Sequence, residues 1–471
     1  MLLAATSVLS LLGTALGLDI CPRIASKVSS ATDVYYPGSS SYVADNAHYA
    51  ISSSQESLCS VEPGSAEDLG IILCILGETN TAFGVKGGGH ATNQGFSSTK
   101  GVQISMTRFN EVTYDSTTQT AVIGAGNIWD DVYKILNAQN VNILGGRVSG
   151  IGVAGFTLGG GYSWHTNQYG LAIDNVVAYE LVLPNGTLST VTEGSDQDLF
   201  FSLKGGCNNF GIVTRFTLKA FPQSAVWGGS AMYSMDDLSA FTAASAKFSS
   251  EVRDPKAVMI MMYGYSGSTS QLSLSVLMFY DGPTPPSGIF DDFLALPPLS
   301  QDIKSRSFHD LIISFNLSAG YDRVVSNDIP VLEYSESTIK GLINELNNSA
   351  SILFTHGASD ISFSIEPFLP TILTHAPANS SAYPGSRERA IFPTNLGFQW
   401  LGESQDSVFH AAAREITEKL GVPGAPRYPN YAIDGTPVKD MYGEEGLRRM
   451  EATRKRVDPR GIMWLTGGFK I

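Results

Sequence analysis

Residues 87–90 hold the clearest chemical signal in the chain: Gly87, Gly88 and Gly89 run directly into His90. Glycine lets a backbone approach a ligand closely. Successive backbone N–H groups in such a turn form a concavity that binds phosphate oxygens. Residues 81–99 therefore read as a loop for a nucleotide diphosphate, with one imidazole fixed at its rim. The competing reading is a glycine-rich turn with a surface histidine, and the loop alone does not choose between them. A second cluster, Gly159-Gly160-Gly161-Tyr162 within residues 150–170, and a third over residues 203–221 repeat the pattern. A run of small residues as long as the second cannot fill a core. It suits something flat and large lying against the backbone.

Other chemistries lack their residues. The four cysteines, Cys21, Cys59, Cys74 and Cys207, form no CxxC pair, and no His/Cys cluster has zinc spacing, so no metal site is expected. A GxSxG elbow is absent; GYSGS from Gly264 misses it by one residue. Gly124-Ala-Gly126 lacks the third glycine of a dinucleotide fingerprint and the βαβ unit that should follow. A net charge of -14 repels phosphate backbones and anionic lipid surfaces, which argues against nucleic acid as a partner.

The elements that must position the loops follow from periodicity. Ser65 caps a helix over residues 65–76, with Asp68 three residues on. Residues 82–85 form a strand entering the first loop, and residues 101–105 and 119–123 alternate as strands. Residues 106–115 read as a turn-rich link, and residues 128–138 as an amphipathic helix. After the second cluster come two strands joined by Pro184-Asn185-Gly186. Past Phe221-Pro222 the composition changes. Residues 257–266, 271–282, 360–368 and 394–402 read as strands, and residues 238–252 and 339–347 as helices. Helices over 409–420 and 444–456 flank the turn-like RYPNYAIDG. The whole is α+β, with helices on one face of a sheet in the middle region.

Residues 1–17 are apolar with small residues at the end, as in a secretory leader. No later stretch is long and apolar enough for a membrane span. Sequons stand at Asn185, Asn316, Asn347 and Asn379. Together these predict a secreted glycoprotein.

Four segments, VKGGGHATNQG, GVAGFTLGGGYSWHTNQYGLAIDNV, GGCNNFGIVTRF and YPNYAIDG, followed by a closing helix and Asp458-Pro459, stand in one order across most of the chain. In that order they resemble the berberine-bridge-enzyme-like FAD-linked oxidases, within the vanillyl-alcohol-oxidase fold. The resemblance implies a two-part PCMH-type FAD-binding domain and a substrate domain of antiparallel sheet covered by helices. It divides the chain into a leader (1–17), an FAD-binding domain (18–222), a substrate domain (223–415) and a C-terminal segment returning to the FAD domain (416–471).

The resemblance also gives residues their expected roles. FAD contacts fall on Lys86, Gly87, Gly88, Gly89, His90, Asn93 and Gly95 in the first loop. They fall on Gly155, Gly159, Gly160, Gly161 and Tyr162 in the second, on Gly211, Ile212 and Val213 in the third, and on Asn430. His90 is the residue that bonds covalently to the flavin. Val148 stands where many members place a second, cysteinyl attachment, so a monocovalent FAD is expected. Tyr428 and Tyr431, in the segment that the resemblance places beside the flavin, are candidates for the base, and so is Glu366, which stands out on its own as a lone acid in an apolar strand; a tyrosine needs a lowered pKa for that task. His165 is open to two readings, substrate contact or a buried turn. A helix cysteine ahead of the first loop often pairs near the N-terminus in the family, which implies Cys21–Cys74. The expected activity is oxidation of a small organic substrate, an alcohol or secondary metabolite, by hydride transfer to the flavin. Dioxygen is the expected acceptor, although Ile151 replaces the smaller residue that admits oxygen in the family. The alternatives are a carbohydrate oxidase on the same scaffold and a flavin-containing oxidative cyclase or binding protein. A monomer is expected.

Overall fold

The computed structural model describes residues 20–267, 271–315 and 320–471. The expected leader and the Asn316 sequon lie outside the described residues. Strands β1 (Asp33–Tyr35), β2 (Cys59–Glu62), β3 (Phe83–Lys86) and β4 (Val102–Ser105) form a sheet in the order β1-β2-β4-β3. The last three run parallel. Parallel neighbours require a crossover, and the helix Ala66–Thr79 supplies it between β2 and β3. Ser65 starts that helix by accepting the Asp68 N–H at 3.1 Å.

Next come β5 (Val112–Asp115), β6 (Thr120–Gly124), β7 (Val141–Asn142), β8 (Val176–Val182), β9 (Leu188–Val191), β10 (Ile212–Lys219) and β11 (Phe221–Pro222). Five of them make an antiparallel sheet, β5-β6-β10-β8-β9, while β7 pairs with β11. Residues 106–115 are thus more than a link. Val112–Asp115 alternate half-buried with exposed and pair with Thr120–Gly124 as a hairpin. The helix Trp129–Asn137 matches the periodicity of its segment.

The third sheet holds β12 (Val226–Tyr233), β13 (Ala257–Ser266), β14 (Gln271–Tyr280), β15 (Pro298–Arg306), β16 (Arg323–Val331), β17 (Ala358–Ile365) and β18 (Phe392–Trp400). Its order is β15-β12-β14-β13-β17-β18-β16. The helices Leu238–Glu251, Glu336–Thr355 and Asp406–Leu420 cover one face. Phe409 stacks on Trp400 there at 4.4 Å, and Phe241 meets Tyr263 edge-on at 5.3 Å. The opposite face meets the earlier sheets. Phe279 of β14 packs on Trp164 at 5.5 Å, in the second glycine cluster. The closing helix runs over Lys439–Val457, with its first turn set off by Gly443 at φ 64°. The chain then returns beside β3 through a Phe83–Thr466 bridge.

One expectation is corrected. Cys21 is disulfide-bonded to Cys59, and Cys74 is free. The helix Ile20–Ala25 lies beside both β1 and the crossover helix, which brings Cys21 to the start of β2. Cys74 is turned toward the turn between β8 and β9, where its thiol donates to the Asn185 carbonyl at 3.3 Å.

Candidate active site

The first loop leaves the carboxyl end of β3, the place where a parallel sheet directs a ligand. Its glycines are required by contact with the second cluster. A Cβ on Gly88 would stand 2.5 Å from Gly152 Cα, so the two backbones cross with no side chain between them. Gly89 has φ 71°, and its carbonyl accepts the Tyr49 N–H at 2.9 Å. The Tyr49 ring then covers His90, with centroids 4.2 Å apart. His90 is half-buried. Desolvation pushes its pKa down to about 4, against a raising hydrogen bond with the Gly150 backbone, so the imidazole is neutral at pH 7.

The other expected flavin contacts divide into two sets. Gly155 is exposed with nothing within 4 Å of a built Cβ, which leaves an open floor beside His90's loop. Ile212 and Val213 pair with β8, whereas the β6 ladder begins only at Arg215–Gly124, so the edge of β10 at these residues has a strand on one side only. These positions offer backbone or space. Lys86, in contrast, donates to the Ala44 carbonyl at 2.6 Å. Asn93 is bonded to the Ala432 carbonyl at 2.9 Å and to the Asp434 N–H at 3.0 Å, tying the first loop to the YPNY turn. Gly95 lies against Gly467 in the closing segment, and Gly211 under the Val182 carbonyl. Gly159 and Gly160 make room for Asn430 and Tyr383, whose atoms a Cβ would meet at 2.0 Å and 2.8 Å. Gly161 lies against Phe156, and Tyr162 bonds Tyr383 hydroxyl to hydroxyl at 3.0 Å.

The three base candidates converge. Glu366, at the end of β17, is 2% exposed. Its carboxylate accepts from Tyr431 Oη at 2.8 Å, from Arg147 Nη2 at 2.5 Å and from Ser364 Oγ at 3.1 Å. Arg147 Nη2 also donates to Tyr431 Oη at 2.8 Å. Tyr428 packs edge-on against Tyr431 at 4.9 Å and against Tyr162 at 4.8 Å. Its hydroxyl accepts from Asn430 Nδ2 at 3.0 Å. Burial raises the Tyr428 phenol to about 12, with Arg147 pulling the other way. Burial and the Glu366 charge push Tyr431 well above its ordinary value. Neither tyrosine has the lowered pKa that a resting tyrosinate would need. His165 stands apart, in the seam between sheets, 3.8 Å from Asp281 and packed on Phe279 and Phe308.

Two members of the site escape sequence reasoning. Arg147 is 8% exposed, and its Nη1 has no partner among the described residues. The signal was present: it is the one charged residue between Lys134 and Asp174. Asp328 of β16 lies beneath Tyr428, accepting its N–H at 2.7 Å, with Arg427 Nε 3.6 Å away. Burial raises Asp328 to about 7. Nothing in RVVSNDIPV marks it out; only strand register brings it there.

The FAD binding domain family matches residues 57–192. An uncharacterized FAD-linked oxidoreductase of Arthroderma benhamiae is 31% identical, over 94% of this chain and 93% of that protein. An FAD-dependent monooxygenase of Emericella nidulans is 30% identical, over 93% of this chain and 95% of that protein. In fold, BBE-like 1 of Physcomitrella patens matches with a TM-score of 0.78 at 20% identity, over 94% of this chain and 97% of that one. The chain belongs to the FAD-linked oxidoreductases, and its fold is that of the BBE-like 1 structure. It is an FAD-dependent oxidoreductase, and its residues fit the cofactor: crossing glycine loops, an open floor at Gly155, a half-open edge at β10 and a neutral imidazole. Among the described residues no group of three His, Cys, Asp or Glu side chains could hold a metal ion, and no helix is long and apolar enough to cross a membrane.

Proposed function

We propose that this chain is a secreted oxidase of a small hydroxylated organic molecule, carrying FAD bonded through His90 alone. The observation that carries the reading is the convergence of Arg147, Glu366 and Tyr431 on one hydrogen-bonded group. FAD, when bound, supplies the hydride acceptor; the chain's residues bind, orient and move the proton. The His90 ring is neutral at physiological pH, so a nitrogen lone pair is available for the bond. Val148 offers no thiol for a second one. Cys207 lies in the third cluster and interacts with Tyr442, 3.9 Å away.

Tyr431 is better placed than Tyr428 to take the substrate's hydroxyl proton. Its own proton already points at Glu366 Oε1, so it accepts one proton while passing another to the carboxylate. No free tyrosinate is needed, which suits a phenol whose pKa is raised. Arg147 bonds both oxygens and holds the pair in place. Among the described residues the Tyr428 hydroxyl has no carboxylate partner; its backbone, not its hydroxyl, bonds Asp328. Dioxygen is the proposed acceptor, with Ile151 the side chain that would limit it.

Acid precipitation tests the attachment. The pellet stays yellow, the tryptic flavopeptide contains His90, and His90→Ala releases its flavin. A flavopeptide lacking His90 rules the reading out. Peroxide release on sugars against aromatic and polyketide alcohols separates the substrate readings, and reduced flavin that persists in air rules out an oxidase.

A further inference from the structure

Tyr49 stands over the one histidine that the first glycine loop presents. Its ring lies 4.2 Å from the His90 ring, centroid to centroid, with the planes at 34°. Core packing does not account for it, because Tyr49 and His90 are both half-buried and neither belongs to the hydrophobic core. The Tyr49 backbone is nevertheless held from two sides. Its N–H donates to the Gly89 carbonyl at 2.9 Å, and its carbonyl accepts the Gly320 N–H at 3.0 Å. The residues around it are tied in the same way. His48 Nε2 bonds Ser97 Oγ at 3.0 Å, toward the far end of the first loop. The Ile51 and Ser52 N–H groups donate to the Tyr321 and Asp322 carbonyls at 2.8 Å and 2.9 Å, just ahead of β16. Residues 48–52 therefore bridge the first loop and the entry to β16, and from the middle of that bridge one ring covers the imidazole.

The Tyr49 hydroxyl has a partner of its own. It bonds the Tyr321 side chain, whose ring meets Tyr49 edge-on at 5.2 Å. Burial, then Tyr321 and Asp360, raise the Tyr49 pKa, so this phenol is no base. What it offers His90 is a flat face. At 4.2 Å the imidazole cannot turn edge-on without striking that face. A second constraint comes from Gly150, whose backbone bonds a ring nitrogen of His90. The Gly150 N–H already points at Asp130, 3.2 Å from Oδ2, so the partner is the Gly150 carbonyl and that nitrogen carries the proton. A neutral imidazole has its lone pair on the other nitrogen. Carbonyl and ring face together fix which nitrogen is free and how the ring is turned.

We infer that Tyr49 is the positioning residue for cofactor attachment, its ring holding the His90 imidazole with the free nitrogen presented to the flavin. The inference rests on the reading that FAD bonds through His90. In the attachment a bond forms between that nitrogen and a methyl carbon of the flavin ring. One C–H bond of the methyl breaks, and its electron pair reduces the flavin. The methyl proton and the proton displaced from the imidazole complete the reduced flavin, which dioxygen reoxidises to give peroxide. Holding a reacting group in place speeds such a step without changing how tightly the cofactor binds.

The experiment compares wild type, Tyr49→Phe, Tyr49→Leu and Tyr49→Ala, each expressed as the full chain and purified at successive times after induction. Two quantities are read at each time: total flavin per protein, and the fraction that stays with acid-precipitated protein. Tyr49→Phe keeps the flat face, and its acid-stable fraction stays within twofold of the wild type. Tyr49→Leu and Tyr49→Ala keep the wild-type melting temperature and total flavin, but their early acid-stable fraction falls at least tenfold and the rest leaves as unmodified FAD. A wild-type acid-stable fraction in the leucine or alanine variant overturns the inference. So does a phenylalanine variant as poor as the alanine one, which would assign the effect to the hydroxyl. Loss of fold or of all flavin in both the leucine and alanine variants assigns Tyr49 to packing and also overturns it. Wild-type protein without acid-stable flavin, or with a flavopeptide lacking His90, overturns the His90 reading instead.

Discussion

Burial decides how Tyr431 and Asp328 hold their protons. Tyr431 with a raised pKa is a poor base by itself, and its bond to Glu366 supplies the missing acceptor. Removing a positioned proton acceptor typically slows the chemical step by about 10²–10⁴. Tyr431→Phe and Glu366→Gln are therefore expected to slow flavin reduction by a similar factor in stopped flow while retaining flavin. Tyr428→Phe is expected to change it less than tenfold. The reverse order would return the base to Tyr428. Asp328 carries a pH signature. Its folded pKa, about 7, lies above the unfolded value, so the folded state binds this proton more tightly. The stability it contributes is full below the unfolded pKa and is lost as pH rises through 7. Asn at this position keeps an acceptor for the Tyr428 N–H and does not titrate. Between pH 5 and 8 the wild type should lose roughly 2–3 kcal/mol of stability relative to Asp328→Asn, since each tenfold difference in proton affinity is worth about 1.4 kcal/mol. Parallel urea curves at both pH values would refute this.

Among elements, those with their own signals were legible. The Ser65 cap, the strand entering the GGGH loop and the hairpin at Pro184-Asn185-Gly186 stand where residue patterns put them. The strands β12, β15 and β16 were not foreseen, each for a physical reason. Gly228-Gly229 break the residue alternation along β12. The edge strand β15 is exposed along almost its whole length, so no alternation marks it. Pro330 in β16 argues against a central strand, and β16 is an edge, where proline is tolerated. The helix Glu336–Thr355 starts at the Ser335 cap, ahead of the expected 339, and runs on past 347, where Ala350 and Leu353 are buried. The candidate site was half legible for the same reason. His90 and the tyrosines belong to contiguous motifs, whereas Arg147 reaches Glu366 and Asp328 reaches the Tyr428 N–H only through the packing of segments distant in sequence. The loops themselves depend on contact. Gly88→Ala would drive a methyl carbon into the Gly152 backbone, and overpacking of this kind costs about 1–3 kcal/mol. The expected result is protein with a lowered melting temperature and an A450/A280 ratio near zero. Full flavin content in Gly88→Ala would show that the two loops need not cross.

At the scale of the molecule, the N-terminal helix is held to β2 by Cys21–Cys59, with a sequence separation of 38. Closing a loop of that size removes chain entropy from the unfolded state worth roughly 4 kcal/mol in the simplest treatment. Cys59 opens the strand that neighbours β4, which neighbours β3 in turn, so the bond braces the sheet that ends in the His90 loop. Disulfides persist in oxidising compartments. This bond supports the proposed secretion, as do Asn185, Asn347 and Asn379, all three exposed. At Asn185 the sequon hydroxyl of Thr187 donates to the acceptor side chain at 2.7 Å. Maleimide labelling of unfolded, unreduced protein should reach Cys74 and Cys207 and leave Cys21 and Cys59 unlabelled. Cys59→Ser should lower stability by about 2–4 kcal/mol, and because the lost brace lies beside β3, flavin should dissociate or fail to attach at lower temperature than in the wild type. Protein expressed with its own leader should shift in mass on treatment with a glycosidase. Labelling of all four cysteines in protein taken from the culture medium would remove the disulfide, and unlabelled Cys21 with Cys59→Ser as stable as the wild type would remove its role in bracing the loop.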